Sequence, residues 1–224
     1  MDAQSQREKD NLSEVAYRSL INKIVYGGEI HMGQTLTETQ LIKLLGMSRT
    51  PIREALIALE TEGLLFRTGR SFSVLFLSAE EIKEMYQVRV ILEAEAARLF
   101  AKNATEDNLR ALAAVLDELR KLNESKNPEP YVLADVSSRF HSTIAAGSGN
   151  RYVEKYANDI RLKLRVVRVS LFTSLDRMND ELKEHTEIFQ SLKERDSEGA
   201  WKKMYEHETK TMQYVIEKVI PRLV

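Results

Sequence analysis

Apolar positions recur at helical spacing along nearly the whole chain, and the period changes in one place. Ile52, Ala55, Leu56 and Leu59 stand at i, i+3, i+4 and i+7, the stripe of an amphipathic helix. Leu41, Leu44 and Leu45 make a similar face just upstream, and Gly46 lies where a left-handed residue ends that segment. Ser48 or Thr50 suits the cap of the second segment, and Pro51 suits its first turn. The spacing predicts two short helices joined by a tight turn, with Arg49, Thr50 and Arg53 off the stripe and facing out. The period then falls to two. Residues 64–67 and 73–76 read as strands around Thr68-Gly69-Arg70-Ser71, a basic hairpin tip. A helix pair followed by such a hairpin is a winged helix-turn-helix.

The flanks complete two units. Val15, Leu20 and Ile24 predict a helix over 12–26 that closes the back of the first unit and stops at Gly27-Gly28. Residues 1–10 are polar and read as a disordered tail, so the first unit spans 11–77; His31 reads as a surface loop residue. Ser78-Ala79-Glu80-Glu81 is a capping box that opens a second unit, 78–224. Helical periods alternate with short breaks there, predicting six helices near 79–101, 106–124, 131–146, 151–172, 178–194 and 197–219. The expected class is mainly α: a winged helix-turn-helix followed by an all-helical antiparallel bundle.

Composition narrows the setting. The 224 residues include no cysteine, which fits a reducing cytoplasm. No apolar run approaches the ~20 residues of a membrane helix, and the N-terminus has no signal-like segment. The net charge is only −1, so any affinity for nucleic acid must come from a local patch. Arg49, Thr50 and Arg53 provide one: a helix start bearing arginines and hydroxyls suits phosphates and guanine edges of double-stranded DNA. Arg67 and Arg70 flank the wing tip and extend the patch toward an adjacent groove.

The bundle holds the other candidate chemistry. Of the four histidines, His141, His185 and His207 fall there. His185 and His207 lie eleven residues either side of Asp196, so on antiparallel helices both sit about 16 Å from the turn, at one level. Imidazoles from three helices make a divalent-metal pattern, with zinc the first choice and nickel an alternative. Surface histidines or satisfied core histidines are the competing reading.

The motif LTETQL…LGMSRTPIREAL..LE.EGLL, with GRSF.V after it, resembles the DNA-binding domain of GntR-type bacterial regulators. R..LE, RFH….GSGN, EH.EIF..L..RD and a final histidine resemble the FCD effector domain of the FadR-type branch. The resemblance implies that Arg49 and Arg53 are the main operator readers, assisted by Thr50, Gly69 and Arg70. Thr39 stands where some members carry an arginine, and Ser71 where many carry a wing glycine. It also implies a metal held by one aspartate and three histidines. His141, His185 and His207 match, but the aspartate position is Ser137. Asp135 is six residues from His141, about 120° off its face. Either a three-histidine site survives, with water or effector beside Ser137, or the metal is lost; on the first, Ser137→Asp restores a ligand.

A metal and bundle-facing arginines would favour a small carboxylate as effector. Arg89 is the candidate clamp, with pairing to Glu93 as its alternative role. Arg161, Arg165 and Arg168 share one face, pocket or solvated stripe, and Arg165 is kept as a candidate. The implied function is a homodimeric, ligand-responsive repressor rather than an enzyme. The alternatives are a metal-free sensor of an acyl ligand and a metalloenzyme with a DNA-binding head; no base or nucleophile stands at a compelling spacing for the latter.

Overall fold

The stripe Ile52, Ala55, Leu56 and Leu59 is the floor of the winged unit: all four are at most 2% exposed. Burying each of the three larger side chains contributes roughly 1.5–3 kcal/mol. The computed structural model describes backbone over residues 3–26, 29–125, 130–168 and 175–222. Side chains are described over 12–24, 29–125, 132–165 and 179–221. Contacts divide the chain into Met1–Leu77 and Ser78–Val224.

In the first unit, α1 (Ala3–Ile21) runs on into a π-helical turn at Asn22–Tyr26 and packs on α3 (Arg49–Thr61), with Ala16 and Leu20 buried. β1 (Thr35–Thr37) leads into α2 (Glu38–Leu45), and β2 (Leu65–Thr68) turns back as β3 (Ser71–Val74). The antiparallel sheet has the order β1-β3-β2, with Leu36 opposite Phe72 and Thr68 opposite Ser71. Gly46 is left-handed at φ 65°, as the break requires.

Three expectations change here. The helix begins at Ala3, inside the stretch expected to be a disordered tail. Gln4, Gln6, Arg7, Glu8 and Lys9 are polar but good helix formers, and polarity alone does not separate a solvated helix from a tail. Leu44 is 44% exposed and only Leu41 of its face is fully buried, because this two-turn helix meets α3 along one edge. β1 was not foreseen: three residues carry too little alternation to signal a strand. The Gly27-Gly28 stop lies outside the described residues.

The second unit contains α4 (Ala79–Asn103), α5 (Glu106–Glu124), α6 (Pro130–Gly147), α7 (Arg151–Arg168), α8 (Leu175–Lys193) and α9 (Ser197–Tyr214). Its fold is the expected helical bundle, and no described helix is long and apolar enough to cross a membrane. The Ser78 hydroxyl caps the Glu81 amide and the Glu81 carboxylate returns to the Ser78 amide; Thr105 and Asn108 repeat the device. α4 packs against α6, α7, α8 and α9. Phe100, Leu112, Phe140, Ile144, Ile188 and Met204 share the core beneath it. Gly147 lets α6 approach Phe100: a Cβ there would stand 2.5 Å from the ring's Cδ2. Between α8 and α9, Arg195 takes φ 60°, held by bonds from its guanidinium to the Ala104 carbonyl (2.5 Å) and Glu106 (3.1 Å).

Candidate metal and effector site

α6, α8 and α9 bring His141, His185 and His207 together at the bundle's centre. All are at most 1% exposed, with ring centroids 5.0, 5.2 and 4.8 Å apart. Nε2 of His141 faces Nε2 of His185 at 3.2 Å. Two nitrogens bound to one ion at zinc–imidazole lengths lie ~3.0 Å apart in an octahedral shell and ~3.4 Å in a tetrahedral one. The observed spacing falls between these.

Carboxylates orient the rings from behind. Nδ1 of His207 lies 2.7 Å from Oε2 of Glu184, which also takes Lys210 at 3.2 Å. That leaves Nε2 of His207 buried without a hydrogen-bond partner among the described residues. Nδ1 of His141 lies 3.3 Å from Oε1 of Glu208 and 3.5 Å from Oε2 of Glu93. The ring of His185 stacks on Phe140 at 4.2 Å. A carboxylate behind an imidazole selects the tautomer whose Nε2 lone pair is free, the usual support of a ligating histidine. Burial, then Arg161 and the other two histidines, push the His141 pKa well below its ordinary value, so it stays neutral, as a ligand must be.

Ser137 is buried and donates to Oε1 of Glu181 at 2.5 Å. Glu181 is 5% exposed, and its Oε1 lies 3.8 Å from Nε2 of His185. This carboxylate and the three imidazoles offer donor atoms all within 4.8 Å of one another. Sequence reasoning missed Glu181, Glu184 and Glu208. The available signal was Glu181 four residues before His185, the spacing that separates Ser137 from His141. Asp135 points away, exposed and bound to Arg165 (2.8 Å), in keeping with its 120° offset.

Arg89 is not a free clamp. It is 0% exposed, with Nη2 2.7 Å from Glu208 and Nε 3.5 Å from Glu93, so the alternative pairing is realised and extended. Burial opposes its charge, but Glu208, Tyr86, Glu93 and Glu181 together raise its pKa. Arg161 is also buried and pairs with Glu93. Arg165 is partly buried on Asp135, and the Arg168 side chain lies outside the described residues. Arg161 and Arg165 are therefore neither a free pocket wall nor a solvated stripe. Among the described residues, the buried arginines Arg89 and Arg161 stand against Glu93, Glu181 and Glu208, a negative excess of one. A divalent cation would turn that into a positive excess of one, which a monoanion would cancel.

In the winged unit, Arg49 and Thr50 are exposed at the start of α3, and Ser48 makes no side-chain cap there. The first amides of α3 thus keep their capacity for an anion. Arg53 is exposed, with Nε 3.2 Å from Glu38. Arg67 is more constrained than expected: it pairs with Glu60 at 3.3 Å and lies 4.7 Å over the Phe72 ring. Gly69 takes φ 63° at the open tip beside exposed Arg70. Ser71 sits in β3 at negative φ, so the wing needs no second glycine.

Residues 84–210 match the FCD domain, and residues 12–74 match the bacterial regulatory proteins of the gntR family. The uncharacterized HTH-type transcriptional regulator YdhC of Bacillus subtilis is 29% identical over 202 residues, 88% of this chain and 90% of its own. The Nta operon transcriptional regulator of Aminobacter aminovorans is 31% identical over 137 residues, 61% and 64% of the two chains. The solved structure of E. coli McbR/YncC shares the fold at a TM-score of 0.76 and 21% identity, over 92% of this chain and 98% of that one. The chain therefore belongs to the GntR family of bacterial transcription regulators, in the branch that carries an FCD domain, and it is a DNA-binding regulator.

Proposed function

We propose that this regulator senses a small organic acid at a divalent metal held by His141, His185 and His207, and releases its operator when the acid binds. The observation that carries this reading is the set of Nε2 atoms turned toward one another, with carboxylates behind His141 and His207. The donors suit zinc, with nickel the alternative. A bound divalent ion supplies a positive anchor for a carboxylate. Around it, Arg89 and Arg161 neutralise Glu93 and Glu208 and keep His141 in place, while Arg165 stands at the margin. A long acyl ligand is disfavoured by this charged lining.

In the winged unit, Arg49, Thr50 and Arg53 are assigned to the operator's major groove, with Gly69 and Arg70 at the neighbouring phosphates or minor groove. Arg67 has the lesser role of bracing the wing. The active form is a cytoplasmic homodimer on a near-palindromic site; exposed Val88 and Ile91 on α4, with Tyr152 and Tyr156 on α7, favour association. Effector binding then shifts the dimer toward an arrangement with lower operator affinity.

The test begins with elemental analysis of protein purified without chelator, expected to hold about one divalent ion per subunit. Its operator, selected from random duplexes, is then titrated with and without short mono- and dicarboxylates. Weaker operator binding that requires both acid and metal supports the reading. Absence of metal, or a response that survives its removal, refutes it.

A further inference from the structure

Ser137 and Glu181 form one rung between α6 and α8, and His141 and His185 form the next rung, one helical turn on. We propose that Glu181 is the carboxylate ligand of the metal, transferred from α6 to α8, and that Ser137 positions it. This rests on the three-histidine metal site proposed above. A carboxylate so buried needs a hydrogen bond or a cation. Ser137 provides the first at 2.5 Å, and the imidazole nitrogens, within 4.8 Å, define the place for the second. A carboxylate has two oxygens and about four acceptor sites, so it can take the serine proton and an ion together.

The two positions are coupled by size and charge. An aspartate at 137 would set a second carboxylate against Glu181, where like charges cannot both remain ionised without a cation between them. Serine instead donates to Glu181. The net ligand set, three imidazoles and one carboxylate, is kept, but α8 now carries two ligands and also Glu184, which orients His207. Ser137→Asp alone therefore exchanges the donor that positions Glu181 for a second carboxylate, whose repulsion a bound cation relieves. In the metal-free chain it adds a repulsion unless Glu181 is removed with it.

The test uses the full-length chain as wild type, E181Q, S137A, S137D and the swap S137D/E181S. Metal content after dialysis, zinc affinity by competition with a chromophoric chelator, and the visible spectrum of the cobalt(II) form are measured for each. E181Q is expected to lose affinity by on the order of tenfold or more and to change the cobalt spectrum. S137A should lose less, S137D should destabilise the metal-free chain, and the swap should recover affinity relative to E181Q. An E181Q protein with wild-type affinity and spectrum overturns the assignment of Glu181 and leaves the three-histidine site standing. A folded swap variant no tighter than E181Q also overturns it. A wild-type chain that takes up no zinc or cobalt removes the metal site itself, and Glu181 as its ligand with it.

Discussion

Replacing Gly147 by alanine tests how closely the bundle is fitted around its centre. The new Cβ would stand 2.5 Å from Cδ2 of Phe100, and the ring is 0% exposed, so it has no solvent side to turn toward. Ordinary contact needs at least about 3.4 Å, so α6 or the ring must shift by roughly 1 Å, a displacement that costs about 1–3 kcal/mol in a packed core. Against this, alanine is the better helix former by up to ~1 kcal/mol. The net expectation is a loss of about 1–2 kcal/mol, which for a chain of this size lowers Tm by about 2–8 °C. Phe100→Leu removes the crowded ring carbons, so the double variant should lose less than the sum, with a coupling of about 0.5–3 kcal/mol. Urea unfolding of the four proteins of this cycle measures both quantities. His141 lies about 9 Å from Gly147 along the same helix, so zinc affinity should weaken in parallel. A G147A protein as stable as wild type, or additivity with Phe100→Leu, refutes the packing argument.

Alanine at Arg49 or Arg53 should each cost about 1–3 kcal/mol of operator affinity and flatten sequence preference in anisotropy titrations, with Arg67→Ala costing less. Equal losses at all three would reject the distinction drawn for Arg67. Arg89→Met leaves Glu93 and Glu208 short of a partner and should destabilise by about 3–5 kcal/mol, much of it recovered in R89M/E208L; a loss under ~1 kcal/mol in denaturant would contradict the buried network. For chelator-treated protein, the depressed pKa of His141 means that the unfolded chain takes up the proton first. Stability is then full above pH ~6.5 and falls by about 1.4 kcal/mol per pH unit below it, toward the folded pKa. Unfolding curves from pH 7.5 downward should show that slope, and His141→Gln should reduce it.

The fold was legible where burial enforces a period. The stripe from Ile52 to Leu59 and the capping box at Ser78 read directly, because apolar spacing and side-chain caps are local. The convergence of His185 and His207 also read from sequence, since equal distance from a turn fixes level on antiparallel helices. β1 did not, because Thr35–Thr37 is a strand only through its pairing with β3. Glu181 and the Glu208 partner of Arg89 were opaque for a related reason. A charged residue on a helix looks the same in sequence whether it is solvated or enclosed, and only the neighbours from other helices, Ser137 for one and Arg89 for the other, decide which.

α4 runs for 25 residues without glycine or proline, from the boundary at Ser78 to Asn103, and carries Arg89 and Glu93 against the histidine cluster. Such a rod does not absorb a disturbance by bending; it pivots. From Glu93 to its first turn the arm is about 21 Å, so a tilt of about 3° at the buried ion network moves the far end by about 1 Å. A change of charge too small to rearrange the core therefore moves the first turn of α4, at the start of this unit.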